Sequence, residues 1–250
     1  MNDFSIFALL FASAFASGIA VFFVKRDNTN TLKLVLSFTG AYLFSITVLD
    51  LFPHVYYTPG EPRETIGIYV LTGFFFQLVL EQFSHGVEHG HLHHTHESRR
   101  NVFPLGIMLS LCLHALLEGM PLAARHQNEL VFGIALHHVP AAFALGSLLI
   151  HTSLSKRGII LLLILFSIMT PLGFLLSKAI SSGGIGNIER YFDRIMAMVI
   201  GVFLHISTTI LFESGSADHH KFNRRKMIAV VLGIMVALAN FLINSGGHRH

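Results

Sequence analysis

The chain has 250 residues, 52% of them hydrophobic and 12% charged, with a mean hydropathy of +0.62. Soluble domains carry about 25% charged residues, so half that fraction argues against an ordinary water-soluble enzyme. The formal net charge of +3 comes from short Lys/Arg clusters between apolar runs, which argues against nucleic acid as a partner.

Apolar runs of about 20 residues can cross a hydrocarbon core as helices. Eight are present, at roughly 5–24, 34–52, 66–84, 103–124, 130–151, 158–179, 193–213 and 227–244. They predict an all-α, polytopic membrane protein with eight transmembrane helices, forming a single domain over 1–250. In the first run "FASAFASG" offers small residues like those at a signal-peptide cleavage site. Asp3 precedes that run and Lys25 and Arg26 follow it, the opposite polarity to a signal peptide, so a retained first span is expected.

Of the 17 Lys and Arg residues, 11 fall in the links after spans one, three, five and seven and six elsewhere. That bias places those links in the cytoplasm and both termini outside it.

Span three leads into the first of two histidine populations. The stretch "HGVEHGHLHHTHESRR" carries His85, His89, His91, His93, His94 and His96 within an expected cytoplasmic loop at 85–102. Neutral imidazoles on a short His-rich tract bind borderline divalent metals. The competing reading is a solvated polar loop.

The second population lies within spans: His114, His137, His138 and His205. Titratable groups at membrane depth are costly and face a cavity or a partner. In span four, Ser110, His114 and Glu118 recur every four residues and form one polar stripe. Ala115, Gly119 and Ala123 form a parallel small-residue stripe that admits a close neighbour, for which span five is suited. Cys112, the only cysteine, reads as a packing residue.

Span five contains "ALHHVPAAFALG". Pro140 has no N–H for the carbonyl of Leu136, so the helix is expected to bend beside the two histidines. Two imidazoles and one carboxylate are an ordinary set of zinc ligands, with water completing the shell. The structural alternative is a pair of interhelical hydrogen bonds from Glu118.

These motifs resemble those of the ZIP metal transporters. "HALLEG" in span four resembles the family's His-Asn-x-Pro-Glu-Gly motif, and "HHVPAA" in span five its His-Glu-x-Pro-Glu-Gly motif. "GFFFQLVLEQFSHGVEHGHLHH" is similar to the family's third span, with Gly73 and Glu81, running into a His-rich loop. "GAYLFSITVLDLFPH" resembles the second, with Asp50 where a His is common and His54 where a Glu is common. "GVFLHISTTILFES" echoes it in span seven, Gly201 and Leu204 repeating Gly40 and Leu43.

The resemblance implies an inverted 3+2+3 repeat, with spans six to eight repeating one to three in opposite orientation. It implies a transporter, not an enzyme, moving a divalent transition metal into the cytoplasm across the plasma or inner membrane. Zinc is the first candidate, with Fe2+, Mn2+, Co2+ and Cd2+ as other substrates. The ligands carried over are His114, Glu118 and His137, with His138 beside them and Asp50 in span two. Positions that would complete a second metal site read Ala115, Ala141 and Thr170, so one central ion is expected. A homodimer is compatible with this reading. An intramembrane zinc hydrolase and a non-transporting metal sensor are the alternatives, although the hydrolase's His-Glu-x-x-His signature is missing from the sequence.

Overall fold

The computed structural model describes residues 1–23, 29–57, 62–84, 105–123, 128–182, 191–215 and 220–246. Among the described residues eight long helices follow one another: α1 (Asp3–Ala20), α2 (Thr29–Ile46), α3 (Arg63–Ser84), α4 (Leu105–Gly119), α5 (Asn128–Leu149), α6 (Lys156–Ser181), α7 (Phe192–Gly215) and α8 (His220–Gly246). A π-helical turn (Thr47–Leu51) and a last helical turn (Phe52–Tyr56) prolong α2, and a 3-10 turn (Met120–Ala123) ends α4. All eight are long and apolar enough to cross a membrane, the number expected. The chain is an integral membrane protein.

Local chemistry explains where these helices start and how two outrun their apolar runs. The side chain of Asn2 caps α1, accepting from the N–H of Ser5 at 2.8 Å, and Ser155 caps α6 through the N–H of Gly158 at 3.2 Å. The spanning helix that includes α2 continues to Tyr56, past the expected end near residue 52. Pro53 lacks the N–H that would bond back along the helix, and the backbone widens into the π turn directly before it. Helix α8 starts before its apolar run because Lys and Arg propagate a helix well.

The closest-packed pairs are α3 with α7, α2 with α8, α1 with α5 and α4 with α6. Helix α5 is innermost, 78% of its apolar window being buried against 22% for α3 and 17% for α8. The side chains that α3 and α8 turn outward, such as Phe75, Phe83, Leu232 and Leu242, are apolar, as a lipid-facing surface requires.

The small-residue stripe of α4 receives α6, not α5. A Cβ on Gly119 would stand 2.0 Å from the Thr170 carbonyl oxygen, and one on Gly173 would stand 1.9 Å from that of Leu116. Only glycine permits backbones to meet so closely. Gly146 of α5 is used against α1 in the same way, 2.7 Å from the Gly18 carbonyl oxygen by the same construction. Cys112 packs on the apolar cluster around Leu111, as expected of a packing residue.

The core divides into two apolar clusters, and the division falls at the same depth on three helices. Leu111 and Ala115 of α4, Ala142 and Leu145 of α5, and Leu163 and Phe166 of α6 belong to one. Met120 and Leu122 after α4, Ile134 and Ala135 of α5, and Phe174 of α6 belong to the other. Buried polar residues between them include Glu118, His137, His138 and Thr170.

Candidate metal centre

This polar layer is built from two helices and braced by a third. His114 and Glu118 share one face of α4 at i,i+4 spacing, and His137 and His138 come from the middle of α5, just before Pro140. Helix α5 runs through Pro140 to Leu149, and Ser17 of α1 donates to the neighbouring Val139 carbonyl.

Glu118 is the hub. Its Oε1 stands 3.4 Å from Nε2 of His114 and 3.5 Å from Nε2 of His137, while its Oε2 lies 2.6 Å from Nε2 of His138. Thr170 of α6 reaches the same His138 nitrogen at 3.3 Å, and Phe166 stacks on the His138 ring with centroids 5.9 Å apart. The four side chains of the centre are at most 3% exposed.

Only part of this network is hydrogen-bonded. Both ring nitrogens of His114, both of His137 and Oε1 of Glu118 are buried without a hydrogen-bond partner. Several buried hydroxyls elsewhere in the spans are satisfied locally: Ser45, Thr47, Ser167 and Ser207 each bond the carbonyl four residues back in their own helix. Buried polar atoms without partners are rare and call for an explanation. A bound cation supplies one. Ligand atoms about 2.0–2.2 Å from a tetrahedral zinc stand about 3.3–3.6 Å from one another. The two Glu118 Oε1 distances fall on that edge length. Among the described residues, His114, Glu118 and His137 form the group of metal-type side chains whose ligand atoms all lie within 4.8 Å of one another. His138 joins through hydrogen bonding to the other carboxylate oxygen, not as a member of that group.

Residues 84–240 match the family model described as ZIP zinc transporter. The chain belongs to the ZIP family. It is 30% identical over 206 residues to the protein named zinc transporter ZIP9 of Xenopus tropicalis, covering 74% of this chain and 66% of that one. It is 29% identical over 208 residues to zinc transporter ZIP9 of Micropogonias undulatus, covering 74% and 65%. With zinc transporter ZIP2 of Homo sapiens the identity is 26% over 127 residues, covering 48% and 40%. The chain thus spans just under two thirds of the length of the first of these ZIP relatives.

The other residues singled out from the sequence fall elsewhere. Asp50 sits half-buried on the π turn of α2, outside the three-residue group, and His54 is exposed one turn later. The six histidines His85, His89, His91, His93, His94 and His96 lie outside the described residues. Nothing in the sequence pairs Glu81 with His205, whereas the fold joins them across α3 and α7 at 2.6 Å. An ionisable residue in each of two spans was the available signal; which one faces which depends on helix packing.

Proposed function

We propose that this chain carries zinc across the membrane into the cytoplasm, one ion at a time, through the Glu118 centre. The observation that carries the reading is the set of buried, unpartnered ligand atoms on His114, His137 and Glu118, gathered within 4.8 Å. His114, Glu118 and His137 are the ligands, and His138 holds the second carboxylate oxygen in place. Zinc is substrate here. Fe2+, Mn2+, Co2+ and Cd2+ bind the same donor types and are the competitors to test.

Family membership and the printed names of the relatives, all zinc transporters, support the choice of cargo. Ala115 and Ala141 offer no ligand, and Thr170 is engaged with His138, which supports a single central ion. Helix pairing supports the inverted repeat: exchanging α1 with α6, α2 with α7, α3 with α8 and α4 with α5 maps the four closest pairs onto one another. Repeats related in this way around a midplane site suit alternating access. The Lys/Arg bias supports cytoplasmic links at 85–102 and 214–226, and the resemblance to the family implies inward transport at the cell's plasma or inner membrane. The histidine tract at 85–102 then meets the ion after release. A hydrolase would need a general base beside the metal, and the carboxylate of the three-residue group among the described residues, Glu118, is itself a ligand in this reading.

Radioactive zinc uptake into cells expressing the chain tests this reading. Time-dependent accumulation above the level in cells without it is expected; an equal rate in both would refute it.

A further inference from the structure

The outward side of α8 ends in charge. Of the eight spans α8 is the least buried, 17% of its apolar window, and that window begins at Arg224. The helix contains no Asp or Glu, and Lys221, Arg224, Arg225 and Lys226 fall in its first two turns. A helix dipole favours acids at that end, so helix stability does not account for four basic residues there. Lys226 is buried and shares a face with Gly233, where a Cβ would stand 2.4 Å from the Phe38 carbonyl oxygen of α2. Arg224 and Arg225 are exposed.

Register gives these two arginines their meaning. Ile228, Val231 and Met235 follow Arg224 at i+4, i+7 and i+11, and Ile228 and Leu232 follow Arg225 at i+3 and i+7. The four apolar side chains keep 49–56% of their surface open. Both arginines therefore head a lipid-facing stripe that runs to Met235, roughly 16 Å at 1.5 Å per residue. One leaflet's share of the hydrocarbon core is about 15 Å. The start of α6 differs. Exposed Leu161 and Leu165 follow Arg157 at i+4 and i+8, but Lys156 lines up with buried Ile159 and Leu163 at i+3 and i+7.

We propose that Arg224 and Arg225 seat the headgroup of an anionic phospholipid, its acyl chains lying along Ile228, Val231, Leu232 and Met235. The planar fork of arginine bonds two phosphate oxygens at once. A phosphate attached to long acyl chains is the chemistry that fits such a fork at the end of an apolar stripe. Net negative charge is selected because no acid on α8 offsets its basic residues. A zwitterionic headgroup brings its own cation beside the phosphate and gains less. Under the orientation proposed above, this lipid stands in the cytoplasmic leaflet; the seat itself depends on neither that orientation nor transport.

The chain has no tryptophan, so Leu232→Trp places a single fluorophore on the stripe. The whole chain is reconstituted in phosphatidylcholine vesicles, and phosphatidylglycerol or phosphatidylcholine with brominated acyl chains is titrated in, because bromine quenches tryptophan on contact. Each basic group beside an anionic surface strengthens attraction roughly 5-fold before salt screens it. Phosphatidylglycerol should therefore bind at least 3-fold more tightly than phosphatidylcholine, and adding Arg224→Gln and Arg225→Gln should bring that ratio to about 1. Brominated phosphatidylcholine should quench both proteins alike, showing that α8 still faces lipid. A Leu161→Trp reporter on α6 should give a ratio less than half as large. No preference in the Leu232→Trp protein, a preference that survives the two Gln substitutions, or equal preference at both reporters would each overturn the seat. Arg224 and Arg225 would then be orientation signals alone.

Discussion

Glu118→Gln separates a metal ligand from an interhelical strut, because the two roles move opposite observables. The amide keeps the size of the side chain and can still bond His138, but it is a poor metal ligand. Losing an outer-shell partner of a metal site typically costs 10–100-fold in affinity, so loss of the charged ligand itself should cost at least about 100-fold. Zinc at 100 times its Kd stabilises a folded protein by about 2.7 kcal/mol; after a 100-fold loss the same zinc contributes only about 0.4 kcal/mol. Thermal unfolding in detergent, with and without zinc, reads that difference, in a chain whose six tract histidines are changed to Ser. The zinc-free variant should be at least as stable as its parent, since a fully buried charge whose Oε1 has no hydrogen-bond partner is removed. The strut reading gives the reverse: zinc shifts the two proteins equally, and the zinc-free variant loses about 1–2 kcal/mol as a charge-assisted hydrogen bond becomes a neutral one. That second pattern would refute the metal assignment.

Gly119→Ala should force α4 and α6 apart at Thr170 and lower stability by about 1–3 kcal/mol in a thermal melt, whereas Gly67→Ala, which meets nothing within 4 Å, should not. A cysteine placed at Ser245 should react with a membrane-impermeant thiol reagent in intact cells and one at Ser98 should not; the opposite pattern would reverse the orientation. Changing the six tract histidines to Ser should lower total bound metal, measured by elemental analysis, and leave substantial zinc uptake; abolished uptake would make the tract an obligatory relay.

The central site was legible because a membrane-spanning helix makes polar residues conspicuous. His114 and Glu118 at i,i+4 could only share a face, and two histidines before Pro140 stand out in an apolar run. Partnership between helices was not legible. The small-residue stripe on α4 gave no indication that its occupant is α6, because α4 and α6 are brought together by Gly119 and Gly173 facing each other's backbones. Glu81 and His205 are 124 residues apart. The π turn at Asp50 was hidden for a different reason: hydropathy registers the length of a helix, not a local widening of its backbone.

The claim that metal crosses the membrane through the Glu118 centre is tested most directly by zinc flux into liposomes loaded with a zinc-sensitive dye. Purified chain and its His114→Ala variant are reconstituted at equal density, and dye response is followed after external zinc is added. A steady influx through the unaltered chain that falls to the rate of protein-free liposomes in His114→Ala is the predicted result. Equal influx through both proteins would contradict it.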